Sequence, residues 1–152
     1  MKKLFLFTLL ALIIFGLALW AGFFQKKEVS APERVPKQIT YVNASSNLIM
    51  VELPFPGAVV GKEFSVIGRA RGVWFFEASF PMELLDKDGR VIATGFSQAE
   101  GEWMTEAFVP FRGEIKAPDS YIGPATLVLH KDNASGLPEH DASISFPIIV
   151  EY

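Results

Sequence analysis

Residues 72–89 read GVWFFEASFPMELLDKDG. From Glu77 the run alternates, with Ala78, Phe80, Met82 and Leu84 on one side and Glu77, Ser79, Pro81 and Glu83 on the other. An apolar face against a largely polar face over seven or eight residues predicts a half-buried strand. Asp88-Gly89 closes the run as a hairpin turn, because glycine accepts the positive φ that tight turns require. RVIATGF (90–96) then returns as the partner strand. The aromatics Trp74, Phe75 and Phe76 open the stretch. In a strand, neighbours face opposite ways, so they cannot all point inward. One of them is expected to turn outward while the rest build a wall.

The same signals extend in both directions. NLIMVEL (47–53) is strand-like and ends at PFPG, where Pro56-Gly57 suits the centre of a type II turn. KEFSVIGRARG (62–72) alternates Phe64, Val66 and Gly68 against Ser65, Ile67 and Arg69. After residue 96 come EWMTEAFVPF (102–111), GEIKA (113–117), ATLVLHKD (125–132) and SISFPIIVEY (143–152), the last with Ile144, Phe146, Ile148 and Val150 on one face. No segment beyond residue 24 carries a helical period. Seven to eight short strands with turn chemistry between them predict an all-β fold, a β-sandwich over 39–152. Pro81, Pro110 and Pro147 each fall inside a predicted strand. Proline cannot donate to a ladder, so these strands are expected at edges or at bulges.

The amino-terminal part is different in kind. Residues 4–24 are uncharged, and Thr8 is their one polar side chain. At ~1.5 Å per residue, such a helix covers ~31 Å, about the hydrocarbon core of a bilayer. Residues 1–24 are therefore predicted as a single N-terminal transmembrane helix. The alternative is a cleaved signal peptide, whose apolar region is normally only ~7–15 residues. Residues 25–38, QKKEVSAPERVPKQ, form a polar, proline-containing linker that could reach ~46 Å fully extended. The expected location is the cell membrane, single-pass, with the domain on the extracytoplasmic, extracellular side. The chain has no cysteine, which fits an oxidising compartment and excludes both a disulfide and a lipidated amino-terminal cysteine.

Charge and composition exclude several functions. Between residues 39 and 152 there are eight Lys or Arg against fifteen Asp or Glu. An acidic surface of this kind argues against nucleic acid and against docking on anionic lipid. His130 and His140 are the only histidines and have no metal-ligand spacing, so no metal and no cofactor is expected. DKDG is not a calcium loop, since Leu84 would stand at the first ligand position and Gly95 at the last. The segment 131–141, with Asp132, Asn133, Glu139 and Asp141, reads as a solvated loop rather than a weak calcium site. There is no Gly-x-Ser-x-Gly elbow. A small hydrolase using His130 or His140 is the least favoured reading, and the protein is expected not to be an enzyme. What remains is a binding surface. The candidate residues are Trp74, Phe76 and Trp103, with Arg69 and Arg71 placed to lie over aromatic rings.

GRARGVWFFEASFPMELLDKDGRVIATGFSQAEGEWMTEAFVPFRGEI (68–115), with LVLHKDNASGLPEHDASISFPIIV after it, resembles a bacterial immunoglobulin-like domain. It is similar to the second of the GerMN-associated domain families, linked with spore germination. The shared features are G-x-A-x-G-x-W-F-F-E-A-x-F-P, the D-x-D-G turn, G-E-W-M-T-E-x-F-V-P-F and D-N-x-S-G-x-P, and the resemblance spans about 47–151. It implies an immunoglobulin-like β-sandwich outside the cytoplasmic membrane and carries no catalytic residues with it. The sequence departs from the family's usual company, reading as anchor, linker and this domain with no GerMN domain beside them. The expected partners are an unidentified envelope protein or, alternatively, a cell-wall polymer such as peptidoglycan bound through Trp74 or Trp103.

Overall fold

The segment Phe108–Lys116 forms strand β7, and its side chains alternate strictly between buried and exposed: Val109, Phe111, Gly113 and Ile115 point in, Pro110, Arg112 and Glu114 point out. The same period governs β5 (Ser79–Leu85) and β9 (Ser143–Val150). One wet face and one dry face is what a two-residue repeat dictates. The computed structural model describes residues 38–152. The anchor expected over 1–24 and all of the linker but Gln38 lie outside them. Among the described residues no helix is long and apolar enough to cross a membrane.

The described residues form nine strands. Besides those three they are β1 (Thr40–Val42), β2 (Ile49–Leu53), β3 (Val59–Val60), β4 (Glu63–Arg71), β6 (Val91–Ala99) and β8 (Gly123–His130). They make one curled sheet in the order β1-β9-β8-β5-β6-β7-β4-β2, with β3 parallel to β9 along the edge that β1 also uses. The expectation of two separate stacked sheets is thus refined. The layers that face each other are joined through β6, which pairs with β5 along most of its length and with β7 only at Ser97, Gln98 and Ala99. The fold curls where Gly95 and Gly113 stand. A Cβ on Gly95 would lie 2.7 Å from the Glu114 carbonyl oxygen, and one on Gly113 would lie 2.7 Å from that of Phe96. Only glycine lets the backbones pass so closely.

The inner faces enclose one core. Phe80 is at its centre, edge-on to Phe111 with ring centroids 4.9 Å apart and edge-on to Trp74 at 6.4 Å. Phe146, Ile148, Leu127 and Leu129 close it from the β8–β9 side. With no cysteine in the chain, packing rather than a disulfide holds this core, and edge-to-face pairs add ~0.5–1.5 kcal/mol beyond area burial.

The turns follow the sequence. Pro56-Gly57 is the centre of a turn in which Ala58 N–H donates to the Phe55 carbonyl and Gly57 has φ 80°, a type II turn. At 86–90 the Gly89 N–H donates to Asp86 O and Gly89 takes φ 78°, the three-residue hairpin with a following bulge. Asp86 organises this turn. Its Oδ1 accepts the backbone N–H groups of Asp88 and Arg90, and its Oδ2 accepts Arg90 Nε at 2.9 Å.

Three expectations are corrected. First, EWMTEAFVPF and GEIKA are not two strands. Residues 101–107 are irregular, and the rest is the single strand β7. Second, Gly72–Trp74 is a turn of 3₁₀ helix rather than the start of a strand, which is how Trp74 and Phe75 can both be buried. Third, the proline-bearing strands are not edges, since the edges are β2 on one side and β1 with β3 on the other. Each proline instead stands where one neighbour's pairing stops. Pro81 precedes the β5–β8 ladder, which begins at Met82. Pro110 lies one residue beyond the β6–β7 ladder, and its carbonyl accepts the Glu100 N–H. Pro147 falls in the gap between β1 and β3, and its carbonyl accepts the Gly57 N–H on that side. The missing donors therefore cost no ladder bond.

Candidate interaction surface

One end of the curled sheet gathers the connections 43–48, 72–78, 100–107 and 131–142. The second and third are locked together. A Cβ on Gly72 would lie 2.0 Å from the Thr105 carbonyl oxygen and 2.3 Å from that of Trp103, so residues 103–105 cross directly over this glycine. The fourth is pinned to the second by Asp132 N–H donating to Trp74 O at 3.0 Å. Arg71 ties the first to the third, its Nε donating to Asn47 O and its Nη1 to Glu106 O.

Between 72–75 and 103–106 lies an open cleft of about 410 Å³, lined by Gly72, Val73, Phe75, Trp103, Met104 and residues just after them. Phe75 is buried, Trp103 is half-buried against the core, and Val73 and Met104 stand out at 58% and 73% exposure. Glu106 also lines the cleft. The surrounding loops carry Glu77, Glu100, Glu102, Asp132, Glu139 and Asp141, against Lys131. The loop end is therefore both apolar and acidic.

The sequence candidates separate into three groups. Trp74 is wholly buried, which corrects its expected place on the surface. Its ring is a core element against Phe80, and its indole Nε1 has no hydrogen-bond partner. Phe76 is the aromatic turned outward, at 45% exposure. It opens a two-residue turn in which Phe76 and Ser79 exchange both backbone bonds while Glu77 and Ala78 adopt φ 49° and 62°. Such angles are usual for Asn-Gly and strained for Glu-Ala. Trp103 is in the cleft wall. Arg69 and Arg71 lie over a ring, that of Phe108, at 5.8 Å and 4.3 Å from its centroid. That stack is on the outer face of the β4–β7 pair, beside the cleft rather than in it. Met104 was missed because it fell in a run read as strand, and Val73 because it lies between the runs 62–72 and 77–84 with no pattern of its own.

Each histidine has one polar side-chain neighbour. His130 Nε2 is 3.2 Å from Glu83 Oε2 on the outer face of β5 and β8. His140 Nδ1 is 2.9 Å from Ser135 Oγ, which also meets Asn133 Oδ1. Which of His140 and Ser135 donates depends on the imidazole tautomer. Asn133 further binds Leu137 O and Asp141 Oδ1, so the polar groups of 131–141 tie the loop to itself. Among the described residues no three or more His, Cys, Asp or Glu are grouped to hold a metal ion.

A family profile described as the immunoglobulin-like domain of bacterial spore germination matches residues 48–136, more than half of the chain. The chain belongs to this family. Among curated proteins and among solved structures, nothing matches it significantly. The germination immunoglobulin-like match runs from the start of β2 into the loop after β8, shorter than the 47–151 over which the resemblance was read. β9 lies beyond it yet supplies Ile144, Phe146, Ile148 and Val150 to the core. The cleft lies wholly within the matched span.

Proposed function

We propose that this protein is a non-catalytic, single-span envelope protein whose immunoglobulin-like domain docks another envelope protein through its loop end, on the extracytoplasmic side of the membrane. The observation that carries the reading is the cleft walled by Val73, Trp103 and Met104. Here a structured floor holds exposed apolar side chains that the core does not need. Apolar groups kept in water on a rigid frame are what a partner covers. Membership of a germination-associated family supports an envelope setting. The anchor over residues 1–24 comes from the length of its apolar run.

Glycan binding at the wall is the second reading. Sugar rings stack on a broad exposed aromatic face, but Trp74 is buried and Trp103 is half-covered. That favours a protein partner.

The test is a crosslinking pull-down from intact host cells with the full-length chain, beside a Val73→Glu/Met104→Glu variant. A specific protein recovered from the membrane fraction with the first and lost with the second is the expected result. A partner unaffected by the variant contradicts the loop end as its dock. Pelleting with purified peptidoglycan, abolished by Trp103→Ala, would replace this reading with the glycan one.

A further inference from the structure

We infer that the segment the cleft accepts is cationic and amphipathic: a lysine or arginine flanked by aliphatic or aromatic residues. This deepens the docking reading above and rests on it. The walls supply the apolar half. Val73 and Met104 are exposed, Trp103 is partly so, and the thioether of Met104 adapts to irregular partners. The cleft is shallow and open, so it receives the side chains of a docking segment rather than enclosing a ligand.

The rim supplies the charge. Glu106 lines the cleft, and Glu102 is close by, its Oε1 accepting the Met104 N–H at 3.1 Å. Among the described residues neither of these carboxylates, nor Glu77, has an ion-pair partner, whereas Glu100 is engaged by Arg112. The nearest arginine does not neutralise them freely. Arg71 is fixed over Phe108 and bonded to two backbone carbonyls, and Arg69 faces Glu52 at 3.9 Å. A cation entering beside Glu102 and Glu106 therefore meets two carboxylates without a direct ion pair among the described residues, next to an apolar wall, with the Arg71 charge held on the Phe108 side. The same charges argue against a second copy of this loop end, which would bring like charge to like, and against anionic wall polymers.

The probes are three labelled peptides of equal length against the full-length chain in nanodiscs. One alternates Lys/Arg with Leu/Phe, one replaces the cations by Glu, and one replaces the apolar residues by Ser. Fluorescence anisotropy should show the first binding at least about tenfold more tightly than either other, and weakening as salt shortens the screening length. Glu102→Gln/Glu106→Gln and Met104→Ser should each weaken it severalfold. Both act on exposed side chains, so an unchanged Tm verifies that the fold survives. Glu63→Gln/Glu114→Gln, on the outer face of β4 and β7, should leave it unchanged.

Equal binding of the Glu peptide, no binding of any peptide, or an equal loss with the Glu63/Glu114 variant overturns the assignment. So does displacement by peptidoglycan fragments. If the cell pull-down still yields a partner that depends on Val73 and Met104, the dock stands and only its ligand class is wrong. If the pull-down fails too, the dock itself is wrong.

Discussion

At the scale of single residues, Trp74 and Asp86 show side chains decided by their neighbours. Trp74 buries its whole ring but leaves its indole N–H unpartnered, and an unmade bond in the interior costs about 1–3 kcal/mol. Trp74→Phe removes the unpartnered donor but also a fused ring, so the relieved polar burial offsets part of the cavity cost and the loss is expected to be clearly smaller than on truncation to alanine. Trp74→Ala is expected to lose about 3–5 kcal/mol. Urea midpoints separate the two. Asp86 is the reverse case, a carboxylate with every oxygen used. The Arg90 backbone N–H foremost, then the Arg90 guanidinium and the Asp88 N–H, hold its carboxyl below the usual range against the opposing effect of burial. A depressed folded pKa stabilises above the unfolded value, near 3.9, and that stability disappears as pH falls through the folded value. Wild type is therefore expected to lose stability more steeply below about pH 4 than Asp86→Asn does. Tm measured from pH 7 to pH 2.5 checks it, and parallel curves would remove Asp86 from the account.

At the scale of elements, the two hairpin turns around β5 explain what the sequence could and could not announce. Asp88-Gly89 declares itself, because glycine at φ 78° is the chemistry the turn needs. Glu77-Ala78 carries no such signal, since its positive φ values are imposed by the Phe76–Ser79 pairing and by the packing of Trp74 and Phe75 below. Left-handed backbone costs a non-glycine residue roughly 1–2 kcal/mol. Glu77→Asn with Ala78→Gly is thus expected to raise stability by about 1 kcal/mol or more, read from urea midpoints. A loss would mean that the turn is not in this conformation. β7 was read in two pieces, but the alternation of β4, β5 and β9 was legible because each has one face in the core. β1 and β3 were not, being three and two residues long and held by pairing with β9 rather than by a pattern of their own. The prolines were read with the right physics and the wrong position. A donorless residue needs only a local end of pairing, and Pro110 and Pro147 find one inside strands with neighbours on both sides.

At the scale of the whole described domain, the core and the docking end have separate origins in the chain. The aromatic content visible in the sequence went mostly inward, as the clustering of Trp74, Phe75, Phe80 and Phe111 shows. The exposed apolar cleft is made by two connections, of which 102–107 fell in a run read as strand and 73–76 in a stretch with no alternation. Its rim draws on the excess of acid that composition did show but could not place. Gly72 links the two levels, because the crossing of 103–105 over it is what makes the cleft a fixed shape. The cysteine-free, immunoglobulin-like frame thus holds the apolar cleft at one end, while exposed apolar residues also stand at the opposite end, as Leu53, Phe55, Val59 and Ile122, and on the outer faces, as Val91 and Phe96.

The central claim is that this loop end is where the partner sits. The direct measurement is position-scanned photocrosslinking of the full-length chain in its native host, with the photoreactive residue placed in turn at Val73, Met104, Val91 and Ile122. The account expects one protein adduct of constant mass from Val73 and Met104 and none from Val91 or Ile122. Adducts from Val91 or Ile122 with none from the cleft would contradict it.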